Sequence, residues 1–179
     1  VTGVQTCALP IWRQEQQEQF QKALLADLEQ DGPAAQFLRQ RGLAPETATA
    51  WGLGLNGSRL MLPLADGLGR CCGFSGRTLT GEEPKFRNSA NDALFCKSDL
   101  LFALDRAAPS IRRSGEALLV EGPLDAIQLH QAGLEHTVAS LGTSFSHEQA
   151  QRLIRCGARR LWIAYDADRA GQQIGRAHV

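Results

Sequence analysis

The chain has 179 residues, 19 basic against 19 acidic side chains, 43% hydrophobic and 21% charged residues. That is long enough to bury a real core in one large domain or two small ones, and too apolar for a disordered chain. It has no apolar run of about eighteen residues that would cross a membrane as a helix. Zero net charge removes the basic excess that marks many nucleic-acid binders, although a local basic stripe is compatible with neutrality.

Taken in chain order, Arg13–Gln30 carries Phe20, Leu24, Leu25 and Leu28 at helical spacing and predicts an amphipathic helix. Asp31-Gly32-Pro33 ends it, and short helices follow over Ala34–Arg41 and from Pro45 to just before Gly52. Leu60–Leu64 is a short apolar strand, Asp66–Gly69 a turn and Cys71–Leu79 a second strand, so a hairpin is expected. Lys85–Ser89 opens a polar loop, Ser98–Ala108 predicts a helix, and Pro109–Gly115 is a basic connector at which a domain boundary is expected. From Glu116 the pattern alternates. Strands at Ala117–Val120, Thr137–Ala139 and Leu161–Tyr165 are separated by helices at Pro123–Ala132 and Ser146–Cys156. The expected fold class is α/β: an N-terminal α+β subdomain, then a mainly parallel sheet flanked by helices.

Both ends stand apart from this pattern. Val1–Ile11 and Ile174–Val179 resemble translated sequencing adapter and are set aside from fold reasoning. The expected division is therefore 1–11 artefact, 12–115 first subdomain, 116–173 second domain, truncated, and 174–179 artefact. The natural segment, Trp12–Gln173, is expected to be an internal piece of a longer protein. None of the five cysteines forms a C-x-x-C pair, so no zinc site is expected within the chain. Small buried thiols and the lack of a secretory signal pattern point to the reducing cytoplasm.

Chemistry gathers where strands end. Glu121 follows Ala-Leu-Leu-Val and precedes Gly122; Asp166 and Asp168 follow Leu-Trp-Ile-Ala-Tyr, about forty-five positions on. In a parallel sheet, ligands sit outside the carboxyl ends of strands, so these acids can converge in space. Clustered carboxylates repel, and a hard divalent cation resolves the conflict. Magnesium, which takes a few carboxylates plus waters and phosphate oxygens, suits such a set.

Three stretches make a family resemblance specific: Glu121-Gly122-Pro123-Leu124-Asp125-Ala126, Ala139-Ser140-Leu141-Gly142-Thr143-Ser144, and Tyr165-Asp166-Ala167-Asp168-Arg169-Ala170-Gly171. In order and spacing they resemble the Toprim domain of bacterial DnaG-type primases. Upstream, Phe37-Leu38-x-x-Arg41-Gly42-Leu43, Gly69-Arg70-x-x-Gly73-Phe74-x-x-Arg77, Lys85–Ser89 and Phe95-Cys96-Lys97-Ser98 resemble the same family's catalytic core. The resemblance implies template-directed synthesis of short RNA primers on single-stranded DNA by divalent-metal-dependent nucleotidyl transfer. It implies Glu121 as the essential glutamate, in metal binding or proton transfer, and Asp166 and Asp168 as holders of Mg²⁺, with Mn²⁺ able to substitute. Asp125 is implied as a supporting acid, with a helix first-turn role as its alternative.

Arg77, Lys85 and Lys97, with Arg87 as the weakest member, match positions lining the template and nucleotide groove, and Asn88 offers a hydrogen bond to a phosphate or base edge. Ser140–Ser144 is a glycine-centred turn that can bind phosphate or simply cap a helix. Implied partners are single-stranded DNA, ribonucleoside triphosphates and a replicative helicase reached through regions absent here, with no membrane. Pro123-Leu124 replaces the more usual aromatic-Met pair, a variant of plasmid- and phage-like relatives. Further acids of the family's metal site lie beyond Asp168, so the isolated chain is expected to make little or no primer. Two alternatives stand beside this reading: a Toprim-type nuclease or topoisomerase-like protein, and a non-catalytic single-strand-binding module.

Overall fold

The computed structural model describes residues 3–93, 95–141 and 145–165, and these form two compact units: the described residues up to 66 with those of 70–95, and 67–69 with the described residues from 96 on. The first unit is α1 (Gly3–Glu29), α2 (Pro33–Gln40) and α3 (Pro45–Ala50) on a four-stranded antiparallel sheet. Its strands are β1 (Gly54–Asn56), β2 (Arg59–Ala65), β3 (Cys71–Thr78) and β4 (Phe86–Asn88), in the order β1-β2-β3-β4. β2 alternates strictly, with Leu60, Leu62 and Leu64 fully buried and the residues between them half-buried, as a one-sided strand requires.

Helix α1 lies against this sheet through Phe20, whose ring meets Phe74 edge-on at 5.3 Å between centroids. The close approach is possible because residue 54 is glycine. A Cβ there would stand 2.4 Å from the Phe20 Cβ and 2.7 Å from its carbonyl carbon. Arg13 is buried and ion-paired with Asp92, whose other oxygen accepts the Phe95 N–H at 3.0 Å. The α1 helix begins at Gly3 rather than Arg13; Ile11 and Trp12 are exposed and Arg13 is buried. Helix α2 has no side-chain cap of its own; Asp27 of α1 reaches across and accepts the Ala35 N–H at 2.8 Å.

The second unit holds α4 (Leu104–Ser114), β5 (Glu116–Val120), α5 (Pro123–Gln131), β6 (Thr137–Ala139), α6 (His147–Cys156) and β7 (Arg160–Ala164). The strands form a parallel sheet in the order β6-β5-β7, each joined to the next by a helix. Its core gathers Leu101, Ala107, Ala108, Ile111, Leu119, Val138 and Leu153.

Several sequence expectations need correction. The helix placed at 98–108 is α4 at Leu104–Ser114, and Pro109 lies inside it, not in a connector. Burial of Ala107, Ala108 and Ile111 carries the helix past the proline, and Gly115 stops it in the left-handed region at φ 73°. Helix α4 falls in the same compact unit as the parallel sheet. The α4 face packs in one cluster with Leu119 and Val138. The loop at Lys85–Ser89 contains β4, and β1 joins the sheet as a strand too short to show a pattern. Tyr165 follows a strand that is mostly exposed: Trp162 and Ile163 are 51% and 46% exposed.

Two expectations follow. Gly54→Ala lowers stability by about 1–3 kcal/mol through overpacking alone, read as a fall in the urea midpoint. A second concerns His130, whose Nε2 donates to the Thr137 carbonyl at 2.8 Å and so anchors the start of β6. Burial holds its pKa below the usual 6.5, with the Thr137 bond opposing the shift and the Arg106 charge adding to it. The unfolded chain then binds the proton first as pH falls below that value, so this contribution is present above it and drains away on acidification. His130→Gln flattens that acid limb in denaturation curves measured from pH 7 to pH 5.

Candidate active site at the carboxyl ends of the parallel strands

In the parallel sheet Val120 pairs with Ala139 on one side and Ala164 on the other, so three strands end at one level. The next residue of each is Glu121, Ser140 and Tyr165. Tyr165 donates its hydroxyl hydrogen bond to the Ser140 Oγ at 2.9 Å, bridging the outer strands across β5. Burial raises the Tyr165 pKa, the Ser140 bond offsets part of that, and the negative charge of Glu121 pushes it up further. The glutamate is thus close enough to Tyr165 to act on it electrostatically, and Tyr165 is the residue directly before Asp166.

Asp166 and Asp168 lie outside the described residues, as do Gly142, Thr143 and Ser144 of the glycine-centred turn. Among the described residues no three His, Cys, Asp or Glu side chains gather as a metal-ligand set. The donor set itself suits a hard cation: Glu121 offers oxygen at a strand end, and the chain leads from Tyr165 straight into two more carboxylates. Gly122 is the N-cap of α5 in an extended conformation, and Asp125 stands in the first turn. A Cβ at position 122 would lie 2.8 Å from the Asp125 Oδ2. The Asp125 carboxylate therefore folds back over the helix entry beside Glu121, where the helix dipole favours a negative charge.

The basic residues divide between the units. Arg77 sits on β3 opposite Phe86 of β4, and Ser75 opposite Asn88, so Arg77, Phe86 and Asn88 share one face of the antiparallel sheet. The Arg77 guanidinium carbon lies 5.1 Å from the Phe86 ring centroid and 5.8 Å from that of Phe37 on α2. Arg41 lies 5.7 Å from the Phe37 ring as well. The Asn88 Oδ1 is buried with no hydrogen-bond partner among the described residues. Arg87, opposite Gly76, points to the other face, which separates it from this group. Lys85 is exposed at the start of β4, and Lys97 is exposed in the second unit, on a turn just after Cys96.

Residues 55–108 match the family "DNA primase catalytic core, N-terminal domain" and residues 118–179 match "Toprim-like". A DNA primase of Synechococcus elongatus is 51% identical over 68% of this chain and 18% of its own length. A DNA primase of Deinococcus radiodurans is 36% identical over 78% of this chain and 32% of its own. A solved DnaG primase catalytic domain bound to single-stranded DNA is 27% identical, covering 96% of this chain and 65% of that one, with a TM-score of 0.84. The chain belongs to the bacterial DnaG-type primases. It spans less than a third of the length of those two curated relatives.

Within this primase fragment, sequence reasoning missed three partners. Phe37 is the ring that holds Arg77 from the helical side, which nothing in a linear pattern signals. Tyr165 joins two strand ends through its hydroxyl, which its place at the end of a strand does not signal. Gln149 went unremarked although Ser146-x-x-Gln149 spells a capping box. A double-mutant cycle of Tyr165→Phe and Ser140→Ala is expected to give a coupling of about 0.5–1.5 kcal/mol in urea denaturation.

Proposed function

We propose that this chain is the catalytic-core portion of an enzyme that joins ribonucleotides on a single-stranded DNA template to make short RNA primers for DNA replication. The observation that carries the reading is the placement of Glu121 at the level strand ends, beside the tyrosine that leads into Asp166 and Asp168. The family matches on both halves of the chain add to it.

In this reading Glu121, Asp166 and Asp168 hold Mg²⁺, or Mn²⁺ in its place, with Asp125 supporting the cluster from the entry of α5. The bound cation supplies charge stabilisation to the phosphoryl oxygens as a primer 3′ hydroxyl displaces pyrophosphate. The chain's own residues do the positioning. Arg77 presents a planar guanidinium held between two rings, suited to bidentate phosphate contact, while Lys85 and Lys97 offer point charges. Asn88 has a buried acceptor oxygen to satisfy, and a base amino group or a ribose hydroxyl is the complement it lacks. Such an enzyme works in the cytoplasm of a bacterium, on chromosomal, plasmid or phage DNA, alongside a replicative helicase.

A strand-cleaving topoisomerase needs a tyrosine nucleophile. The only tyrosine here, Tyr165, is half-buried with its hydroxyl donated to Ser140. A Toprim nuclease needs none, but it leaves the primase-specific match over 55–108 without a purpose. A non-catalytic binding module leaves the strand-end acids without one.

In the full-length enzyme carrying this segment, Glu121→Gln and Asp166→Ala are each expected to cut labelled-ribonucleotide incorporation by at least about 10³-fold, with circular dichroism unchanged. Incorporation near the wild-type rate in either variant removes that residue from the mechanism.

A further inference from the structure

A buried amide with every polar atom engaged fixes one more part of this site. Gln149, 1% exposed, lies in the first turn of α6. Its Oε1 accepts the Ser146 N–H at 3.0 Å, and its own backbone N–H donates to the Ser146 Oγ at 3.0 Å. Capping a helix needs no more than that. The Nε2 of Gln149 also donates to the Leu100 carbonyl at 2.7 Å and to the Ser140 carbonyl at 3.3 Å. Ser146 in turn donates its hydroxyl to the Ser98 carbonyl at 2.7 Å. Four residues beyond Ser98, Phe102 and Ala139 exchange backbone hydrogen bonds of 2.8 and 3.1 Å.

The segment 98–102 is therefore a strap pinned to the start of α6 at Ser98 and Leu100 and to the end of β6 at Phe102. It is not a helix, as its sequence suggested. It begins directly after Lys97, and one of its pins is shared with Ser140, the residue that leaves β6 beside Glu121. We infer that Gln149 is a positioning residue: it sets where the Lys97 strap stands relative to the carboxyl end of the parallel sheet. The inference rests on the proposed function in taking Lys97 and Glu121 to act on one nucleotide.

The physical argument is one of cost against use. A buried amide gains little net stability over an apolar side chain of similar volume, because it first sheds its water. What it supplies is location. Two carbonyls from separate segments are drawn to one donor group, and removing that group takes a hydrogen bond from both at once. Leu100 and Ser140 are 8% and 3% exposed.

The test uses two variants. Gln149→Met keeps the volume and removes the donors. Ser146→Asp keeps a good helix cap but has no hydrogen to give the Ser98 carbonyl. In the 179-residue chain, hydrogen exchange is expected to quicken by about tenfold at Leu100 and Phe102 in Gln149→Met. In Ser146→Asp it quickens at Asp99 and Leu100, and the amides of β5 and α5 keep their wild-type rates in both. In the full-length enzyme, Gln149→Met is expected to raise KM for ribonucleoside triphosphates by about five- to tenfold with kcat within about twofold. Lys97→Ala does the same, and the double variant is no worse than Lys97→Ala alone.

Unchanged exchange at 98–102 in a folded Gln149→Met or Ser146→Asp protein overturns the strap. Additive effects of Gln149→Met and Lys97→Ala overturn its link to Lys97. A wild-type enzyme that makes no primer defeats the proposed function instead, and the exchange measurement still decides the strap.

Discussion

Backbone hydrogen bonds set Val120 opposite both Ala139 and Ala164, and that register brings three chain segments to one level at the end of the sheet. A slip of one residue in either outer strand would turn Ser140 or Tyr165 to the opposite face. The register is held from behind. Ala117 and Leu119 of the central strand are fully buried against Ile111 of α4, and Leu153 of α6 closes the same cluster. Apolar packing at one face thus fixes where polar groups emerge at the strand ends. The chemistry of the site thus depends on a register set mainly by apolar packing behind it.

Around that end, small backbone details decide which acids can gather. Gly122 leaves open the space that the Asp125 carboxylate occupies, and α5 begins there with its dipole toward the acids. The tyrosine bridge to Ser140 spans β5 without adding charge, so the outer strands are tied beside Glu121 and no cation is needed for the tie. Negative charge can then collect where a divalent ion would relieve it, while neutral bonds hold the frame.

How much of this was legible in the sequence follows from which forces are local. The parallel βαβ order was readable because apolar strands alternate with helical stretches, and because Gly115, Gly133 and Gly157 mark helix ends. The strand-end placement of Glu121 followed directly. The 98–114 region was misplaced because local signals and tertiary burial disagree there. Ser98 looks like a cap and Pro109 like a stop, yet the segment before Leu104 is drawn out by pairing with β6, and Ile111 pulls the helix through the proline. Phe37 and Gln149 were illegible for a different reason. Phe37 meets Arg77 and Gln149 meets Leu100 across forty or more positions, and a capping box looks the same whether or not its glutamine has further work.

The basic residues follow a rule of their own, and it accounts for a neutral chain in a nucleic-acid family. An excess of charge is one way to hold phosphate, and it acts on any anion at any orientation. The alternative is a few cations whose directions are fixed. Arg77 is half-buried between Phe37 and Phe86, and its strand is central in a four-stranded sheet, so both ends of its side chain are constrained. A guanidinium held in this way loses little further freedom on meeting a phosphate, and its planar fork keeps a preferred approach. Lysine at the same place would lose the stacking and the fork together. Under the proposed function, neutral overall charge is then no argument against template binding, because orientation can stand in for quantity.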